Sequence, residues 1–294
     1  MKLFGRDDFQ ALWHRWILPA LSVLVFAGVA WIIRRQLEHF RFSSILHHLR
    51  AIPDSAIGGA VLLTILSYWL LGFYDVLGLR YVGRAIPYAK VAFTSFIAYA
   101  FGHNLGVATF TSGAVRYRLY SASGLSGAEV ASVSMFCAVT TTIGLAMLAG
   151  IAFVAGPQPA ALALHIAPGL VLLIGIMLLL GVLGYALWCG LQRTPVELFG
   201  YAVRPPRLMI ALPQIVLAAV DLACSAAVLW LLLPTTSGLD LGLFIGVYAT
   251  AITASVISHV PGGLGVFESV IVVALPGVPA DQLLGTLLAW RAVY

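Results

Sequence analysis

Long apolar runs constrain this chain more than any other feature of its sequence. A helix needs about 20 mostly apolar residues to cross a bilayer. Hydrophobic residues make up 61% of the chain and charged residues only 9%, whereas a soluble domain has about 25% charged residues. The sequence therefore predicts an all-α, polytopic integral membrane protein with about six full spans. The six predicted spans are residues 17–33, 56–79, 128–155, 166–190, 208–233 and 241–260.

Two further stretches, 91–127 and 261–294, are apolar but interrupted by helix-breaking residues. Proline cannot continue the helical hydrogen-bond ladder, and glycine permits sharp backbone turns. After the second break only about twelve apolar residues remain before the next proline, too few to span. We therefore predict two broken or re-entrant helical segments. The predicted hinge residues are Gly102, Gly106, Gly113, Pro261, Gly262, Gly263 and Gly265.

The distribution of basic residues among the loops predicts an orientation. Cytoplasmic loops are enriched in Lys and Arg, and most loops obey this rule with a cytoplasmic N-terminus if 91–127 enters the membrane and returns to the same side. We therefore predict a re-entrant hairpin there; the alternative is an odd number of crossings. The segments that would be cytoplasmic, namely the N-terminal segment and loops 80–90 and 191–207, contain Lys or Arg. The loops 156–165 and 234–240, which would be external, contain neither. Loop 34–55 would also be external but is basic, so it breaks the rule.

Acidic residues inside the predicted spans are candidates for function, because a charge at the bilayer centre costs about 3 kcal/mol or more. Asp75 lies near the end of the second span. It either faces a cavity or pairs at the interface with Arg80 or Arg84. Asp221 lies in the middle of its span.

Asp221 shares one helical face with Gln214 and Ser225. A polar stripe on an apolar helix is expected to face protein or water. The alternative to a functional role is a structural hydrogen-bond cluster between helices.

The two broken segments supply further candidates for binding a lipid headgroup. Arg116 and Arg118 follow the first break, and a guanidinium fork suits phosphate; alternatively, both arginines lie at the cytoplasmic surface. Glu268 falls in the first turn after the second break, where free backbone amides beside it and His259 form a plausible headgroup site. We identify no catalytic set, cofactor motif or metal-ligand spacing.

Two segments of the chain have a distinctive sequence. They are Phe101-Gly102-His103-Asn104 with Gly113-Ala114-Val115-Arg116-Tyr117-Arg118-Leu119-Tyr120 and Gly124-Leu125-Ser126, and Val260-Pro261-Gly262-Gly263-Leu264-Gly265-Val266-Phe267-Glu268. Together they resemble the membrane domain of one family, the bacterial bifunctional lysylphosphatidylglycerol synthase and flippase called the multiple peptide resistance factor. The resemblance extends from the second predicted span to the end of the chain.

This resemblance implies a lipid flippase domain over residues 1–294, in a multi-pass protein of the bacterial cytoplasmic membrane. Its lipids would be phosphatidylglycerol and lysyl-phosphatidylglycerol, moved to the outer leaflet to protect against cationic antimicrobial peptides. Asp75 and Arg116 stand in the matching segments. The family's C-terminal synthase domain, which transfers lysine from tRNA to phosphatidylglycerol, has no counterpart here, so transferase activity and tRNA contact would belong to that missing partner domain.

Three functions remain open at this point. The first is the flippase, with a second copy of the chain as a candidate partner. The second is an ion- or proton-coupled transporter of a small solute, which also uses broken helices and intramembrane acids. The third is a membrane scaffold that delivers lipid to an attached enzyme.

Overall fold

The structure is a computed structural model that describes residues 50–104, 108–191, 196–198, 201–234, 240–258 and 260–294. Ten α-helices, one 3-10 turn and one short β-hairpin form this described part. The helices are α1 (Asp54–Tyr81), α2 (Tyr88–Asn104), α3 (Ala108–Ser121), α4 (Gly127–Ala155), α5 (Gln158–Leu164), α6 (Pro168–Leu191), α7 (Leu208–Leu232), α8 (Leu241–Ser258), α9 (Val266–Ala274) and α10 (Ala280–Val293).

Five of these helices, α1, α4, α6, α7 and α8, are long and apolar enough to cross a membrane. They match five of the predicted spans and confirm the prediction of an all-helical, multi-pass membrane protein. The predicted span 17–33 lies outside the described residues. In the α6–α7 loop, β1 (Val196–Leu198) and β2 (Tyr201–Val203) form a small antiparallel hairpin.

Helix α1 shows how the amino-acid pattern separates lipid-facing from protein-facing surfaces. Leu62, Ile65 and Trp69 are more than half exposed, as expected of side chains in contact with lipid tails. Ser67 and Tyr74, seven residues apart on the other face of the helix, are fully buried against the bundle. The helix therefore presents its polar residues to other helices.

Helices α1, α4 and α7 pack against one another in the middle of the bundle. Helix α6 packs on α4, the α2–α3 pair packs on α1 and α4, and α8, α9 and α10 form the remaining side. At Gly144 in α4 the absence of a side chain permits a close approach to Ala218 in α7. Small residues at such crossings allow membrane helices to pack closely.

The first broken segment forms a helical hairpin. Helix α2 has 17 residues and α3 has 14, so at 1.5 Å per residue each is shorter than the hydrocarbon core of about 30 Å. The two helices pack together and are separated only by 105–107. Gly102 lies inside α2 and Gly113 inside α3, so these two predicted hinge residues do not interrupt a helix. The interval between the two helices is therefore shorter than the predicted break. Gly106, the third predicted hinge residue here, is outside the described residues.

The second broken segment interrupts the chain between α8 and α9. Pro261–Gly263 form a 3-10 turn, followed by the nine residues of α9. Gly262, Gly263 and Gly265 have φ values of 60°, 62° and 82°, a region that residues with a side chain rarely adopt. Helix α2 packs against this turn, so the two broken segments meet.

Candidate functional site

A buried ion pair joins α1 to the α2–α3 hairpin. Arg116 Nε donates to Asp75 Oδ1 at 2.8 Å, and Arg116 Nη2 donates to Asp75 Oδ2 at 2.9 Å. The arginine side chain is 2% exposed and the aspartate side chain 0%. This two-point geometry is the strong form of an arginine–carboxylate contact. Asp75 is therefore not paired with Arg80 or Arg84, and Arg116 is not a surface residue.

Three other side chains complete the surroundings of this pair. Tyr120, one turn after Arg116 in α3, donates its hydroxyl to Asp75 Oδ1 at 2.8 Å. The Cys137 thiol of α4 lies 3.8 Å from Asp75 Oδ2. The Arg116 guanidinium stands 4.9 Å from the centre of the Tyr99 ring, within cation–π range. Four elements thus hold two opposite charges away from lipid.

Arg84, the other arginine considered for Asp75, has a different acidic partner. Its Nε donates to Glu129 Oε1 at 2.7 Å, at the start of α4. This hydrogen bond raises the pKa of the half-exposed Arg84 guanidinium. Glu129 also accepts from the Ser126 backbone N–H at 2.7 Å, so it caps α4.

Asp221 sits in the middle of α7 and is 4% exposed. Its two carboxylate oxygens accept hydrogen bonds from α1: Ser67 Oγ donates to Oδ1 at 2.5 Å, and the Tyr74 hydroxyl donates to Oδ2 at 3.0 Å. Ser67 Oγ also lies 2.9 Å from the Tyr294 hydroxyl. Among the residues that the structure describes, the hydrogen-bond partners of the Asp221 carboxylate are thus hydroxyl groups.

The other two residues predicted on the polar face of α7 are also buried. Gln214 Nε2 donates to Thr140 Oγ1 of α4 at 2.7 Å, and the Tyr185 hydroxyl of α6 donates to Gln214 Oε1 at 2.6 Å. Ser225 and Tyr248 of α8 share a hydrogen bond of 2.5 Å. The face forms a polar seam along α7, in contact with α1, α4, α6 and α8.

The remaining predicted headgroup residues lie apart from this seam. Arg118 is exposed, on a different face of α3 from Arg116. Glu268 Oε1 accepts from Arg291 Nη2 at 2.7 Å, and Glu268 Oε2 accepts from the Gly265 backbone N–H at 2.8 Å. Arg291 Nη2 also donates to the Gly262 carbonyl at 3.1 Å. Glu268 therefore fastens the second break to α10, and His259 is outside the described residues.

Sequence reasoning did not single out the hydroxyl groups that connect the charged residues. Ser67 and Tyr74 lie seven residues apart on α1, and Arg116 and Tyr120 lie four apart on α3. Both spacings place the pair on one helical face. Helical spacing from Arg116 would have identified Tyr120, whereas Ser67 and Tyr74 bond an acid on a different helix and had no such signal.

Comparison with known proteins places the chain beside two relatives along nearly its whole length. It is 33% identical over 277 residues to the uncharacterized protein slr0712 of Synechocystis sp., covering 94% of this chain and 86% of the relative. It is 30% identical over 288 residues to the inner membrane protein YbhN of Escherichia coli K12, covering 95% of this chain and 89% of the relative. No family model matches the chain.

Proposed function

We propose that this chain, which belongs to the family of integral membrane proteins that includes YbhN and slr0712, moves a charged phospholipid headgroup across the membrane. The two broken segments resemble those of the multiple peptide resistance factor, so the substrate that we propose is aminoacylated phosphatidylglycerol, above all lysyl-phosphatidylglycerol. The protein would carry this lipid from the inner to the outer leaflet. The observation that carries this proposal is the buried Asp75–Arg116 ion pair.

The chemistry of the pair suits this headgroup. Lysyl-phosphatidylglycerol carries one phosphate and two ammonium groups. A guanidinium binds phosphate through two parallel hydrogen bonds, as Arg116 now binds Asp75. Asp75, once released, is an acceptor for an ammonium group. The pair would therefore exchange its internal contacts for contacts with the phosphate and one ammonium group, and the second ammonium group would need a further acceptor.

The position of the pair indicates which part must move. Asp75 and Arg116 are sealed from the surroundings in this arrangement, so a headgroup gains access only when they separate. Arg116 is carried by α3, which is too short to span and is joined to α2 at 105–107. Displacement of this hairpin from α1 would open a polar route beside Asp75 while the acyl tails stay in lipid.

A second candidate function is coupled transport of a small solute. It is favoured by the polar seam along α7, which is buried within the bundle rather than at its lipid-facing surface. Transporters of this kind place their sites near the bilayer midplane beside broken helices. The two functions differ in whether the substrate contains acyl chains, and a lipid assay separates them.

The test is a leaflet assay with the purified protein in proteoliposomes. Lysyl-phosphatidylglycerol is placed in one leaflet, and its arrival in the other is followed with an amine reagent that does not cross membranes. We expect lysyl-phosphatidylglycerol to change leaflet faster in vesicles that contain the wild-type protein than in protein-free vesicles. Asp75→Asn and Arg116→Gln should each slow it by about tenfold or more, since a charge-assisted hydrogen bond is worth about 1.5–3 kcal/mol.

The matched control is Arg80→Gln, which removes an exposed arginine from the last turn of the same helix as Asp75. It should move lipid at the wild-type rate. Unmodified phosphatidylglycerol has no amine, so its movement is followed by periodate oxidation of its headgroup diol; equal movement of this lipid would broaden the substrate to anionic phospholipids. Movement no faster than in protein-free vesicles, with any lipid, would reject lipid transport and leave the solute transporter or the scaffold.

A further inference from the structure

The two buried aspartates of the bundle are neutralised differently. Asp75 has Arg116 as a counter-charge, held by two hydrogen bonds. Asp221 is also buried, and within the described residues its side-chain hydrogen-bond partners are the hydroxyls of Ser67 and Tyr74. An ionised carboxylate buried without a cation costs several kcal/mol, and such groups normally become neutral instead.

Within the described residues, the titratable side chains that interact with Asp221 are phenols and a thiol. They are Tyr68 and Tyr74 of α1, Tyr99 of α2, Cys224 of α7, Tyr248 of α8 and Tyr294 after α10. Such groups are uncharged near neutral pH, because they ordinarily ionise at about 8.5 or above. Tyr99 also interacts with Asp75 and Arg116, whose opposite charges compensate each other.

The hydrogen bonds around Asp221 accommodate a proton. A protonated carboxyl is one donor and also an acceptor. Ser67 Oγ donates to Oδ1 when the carboxylate is ionised. With a proton on Oδ1 the direction of this 2.5 Å contact would reverse, and Ser67 Oγ could then donate to the Tyr294 hydroxyl at 2.9 Å. Oδ2 accepts from Tyr74 at 3.0 Å. Each hydroxyl in this arrangement can then donate or accept a hydrogen bond. A metal cation bound to Asp221 would instead require the hydroxyl hydrogens of Ser67 and Tyr74 to point away from the carboxylate.

We propose that Asp221 is a proton-binding site, protonated in this sealed arrangement and able to release its proton when the bundle opens. On release, the Oδ1–H bond breaks and the proton passes to water in the opened route. The carboxylate left behind is an acceptor for a cation. That this cation is a lipid ammonium group rests on the proposed function; the proton site itself rests on the surroundings of Asp221.

The test is infrared spectroscopy of the purified protein in a maltoside detergent, which has no ester or carboxyl group to contribute a C=O band of its own. A protonated carboxyl has a C=O stretching band that a carboxylate lacks. At neutral pH we expect such a band in the wild-type protein, its loss in Asp221→Asn and its retention in Asp54→Asn, a change at an exposed position of α1. A wild-type spectrum without the band, or a band that persists in Asp221→Asn, would overturn the inference.

Two further measurements test whether the band belongs to Asp221 and whether the site binds a proton or a metal cation. Ser67→Ala, which removes the 2.5 Å partner, should shift the band position, and an unshifted band would assign it to another carboxyl. Exchanging sodium for choline at constant pH should leave the band unchanged; loss of the band on adding sodium would identify a metal-cation site instead. Neither readout requires lipid movement, so failure of the leaflet assay and failure of this inference are distinguishable.

Discussion

Tyr74 and Asp75 are neighbours in α1, but their side chains serve two different acidic centres. The Tyr74 hydroxyl donates to Asp221 of α7 at 3.0 Å, whereas Asp75 accepts from Arg116 of α3 at 2.8 Å. One turn of α1 therefore joins the compensated charge pair to a carboxyl that has only hydroxyl partners in the described part of the chain. Movement of the α2–α3 hairpin away from α1 would break the contacts of Asp75 directly, and the proposed coupling to Asp221 would pass through the adjacent Tyr74.

Removing one member of the Asp75–Arg116 pair should destabilise the protein more than removing both. Arg116→Gln leaves a buried carboxylate unpaired, and breaking a buried ion pair in this way costs about 3–5 kcal/mol. The double variant Asp75→Asn with Arg116→Gln removes both charges and should regain most of that loss. Thermal unfolding in detergent measures the difference, and equal or additive losses in the double variant would contradict the pairing.

The same double variant separates stability from transport. It should unfold near the wild-type temperature but should not move lipid, since neither phosphate nor ammonium would find its partner. A double variant that is stable and fully active would show that the pair serves only the fold.

The close crossing of α4 and α7 should not tolerate a larger residue at Gly144. A Cβ added there would lie 2.7 Å from the Ala218 carbonyl carbon, so Gly144→Ala must push the helices apart. Overpacking of this kind costs about 1–3 kcal/mol. The matched control is Gly181→Ala in α6, where an added Cβ meets nothing within 4 Å. Unfolding temperatures of the two variants test this prediction, and equal values would contradict it.

Gly263→Ala should disrupt the second break. Gly263 has a φ of 62°, and an added Cβ would lie 2.7 Å from Ser255 Oγ, so both strain and a clash oppose the change. We expect a loss of more than about 1 kcal/mol. Gly277→Ala, in the connection between α9 and α10, places a Cβ where nothing lies within 4 Å and should be tolerated. The unfolding temperature and the yield of folded protein distinguish the two variants.

The spans could be predicted from the sequence because their signal is local. A run of apolar residues in α6 or α8 needs no knowledge of its neighbours to be recognised as membrane-spanning. The polar face of α7 was recognisable for the same reason, since Gln214, Asp221 and Ser225 repeat at helical spacing. Their burial against other helices agrees with this prediction.

The partners of the charged residues were not predictable in the same way. Asp75 and Arg116 are 41 positions apart, and nothing local to Asp75 favours Arg116 over the nearer Arg80 and Arg84. The choice depends on how the hairpin packs against α1, which is a tertiary relationship. Tertiary packing also explains why Gly113 does not interrupt α3 as predicted. A single glycine inside a helix costs only about 1 kcal/mol, and contacts with neighbouring helices can offset that cost.

The central claim is that the Asp75–Arg116 pair lies on a route that opens. Cys137 reports on it directly, because its thiol lies 3.8 Å from Asp75 Oδ2 and is buried. The measurement is the rate at which a cationic, membrane-impermeant thiol reagent modifies Cys137 in proteoliposomes, with Cys189 and Cys224 replaced by serine. We predict modification of the folded protein and slower modification with lysyl-phosphatidylglycerol present. A thiol that reacts only after unfolding would contradict the account.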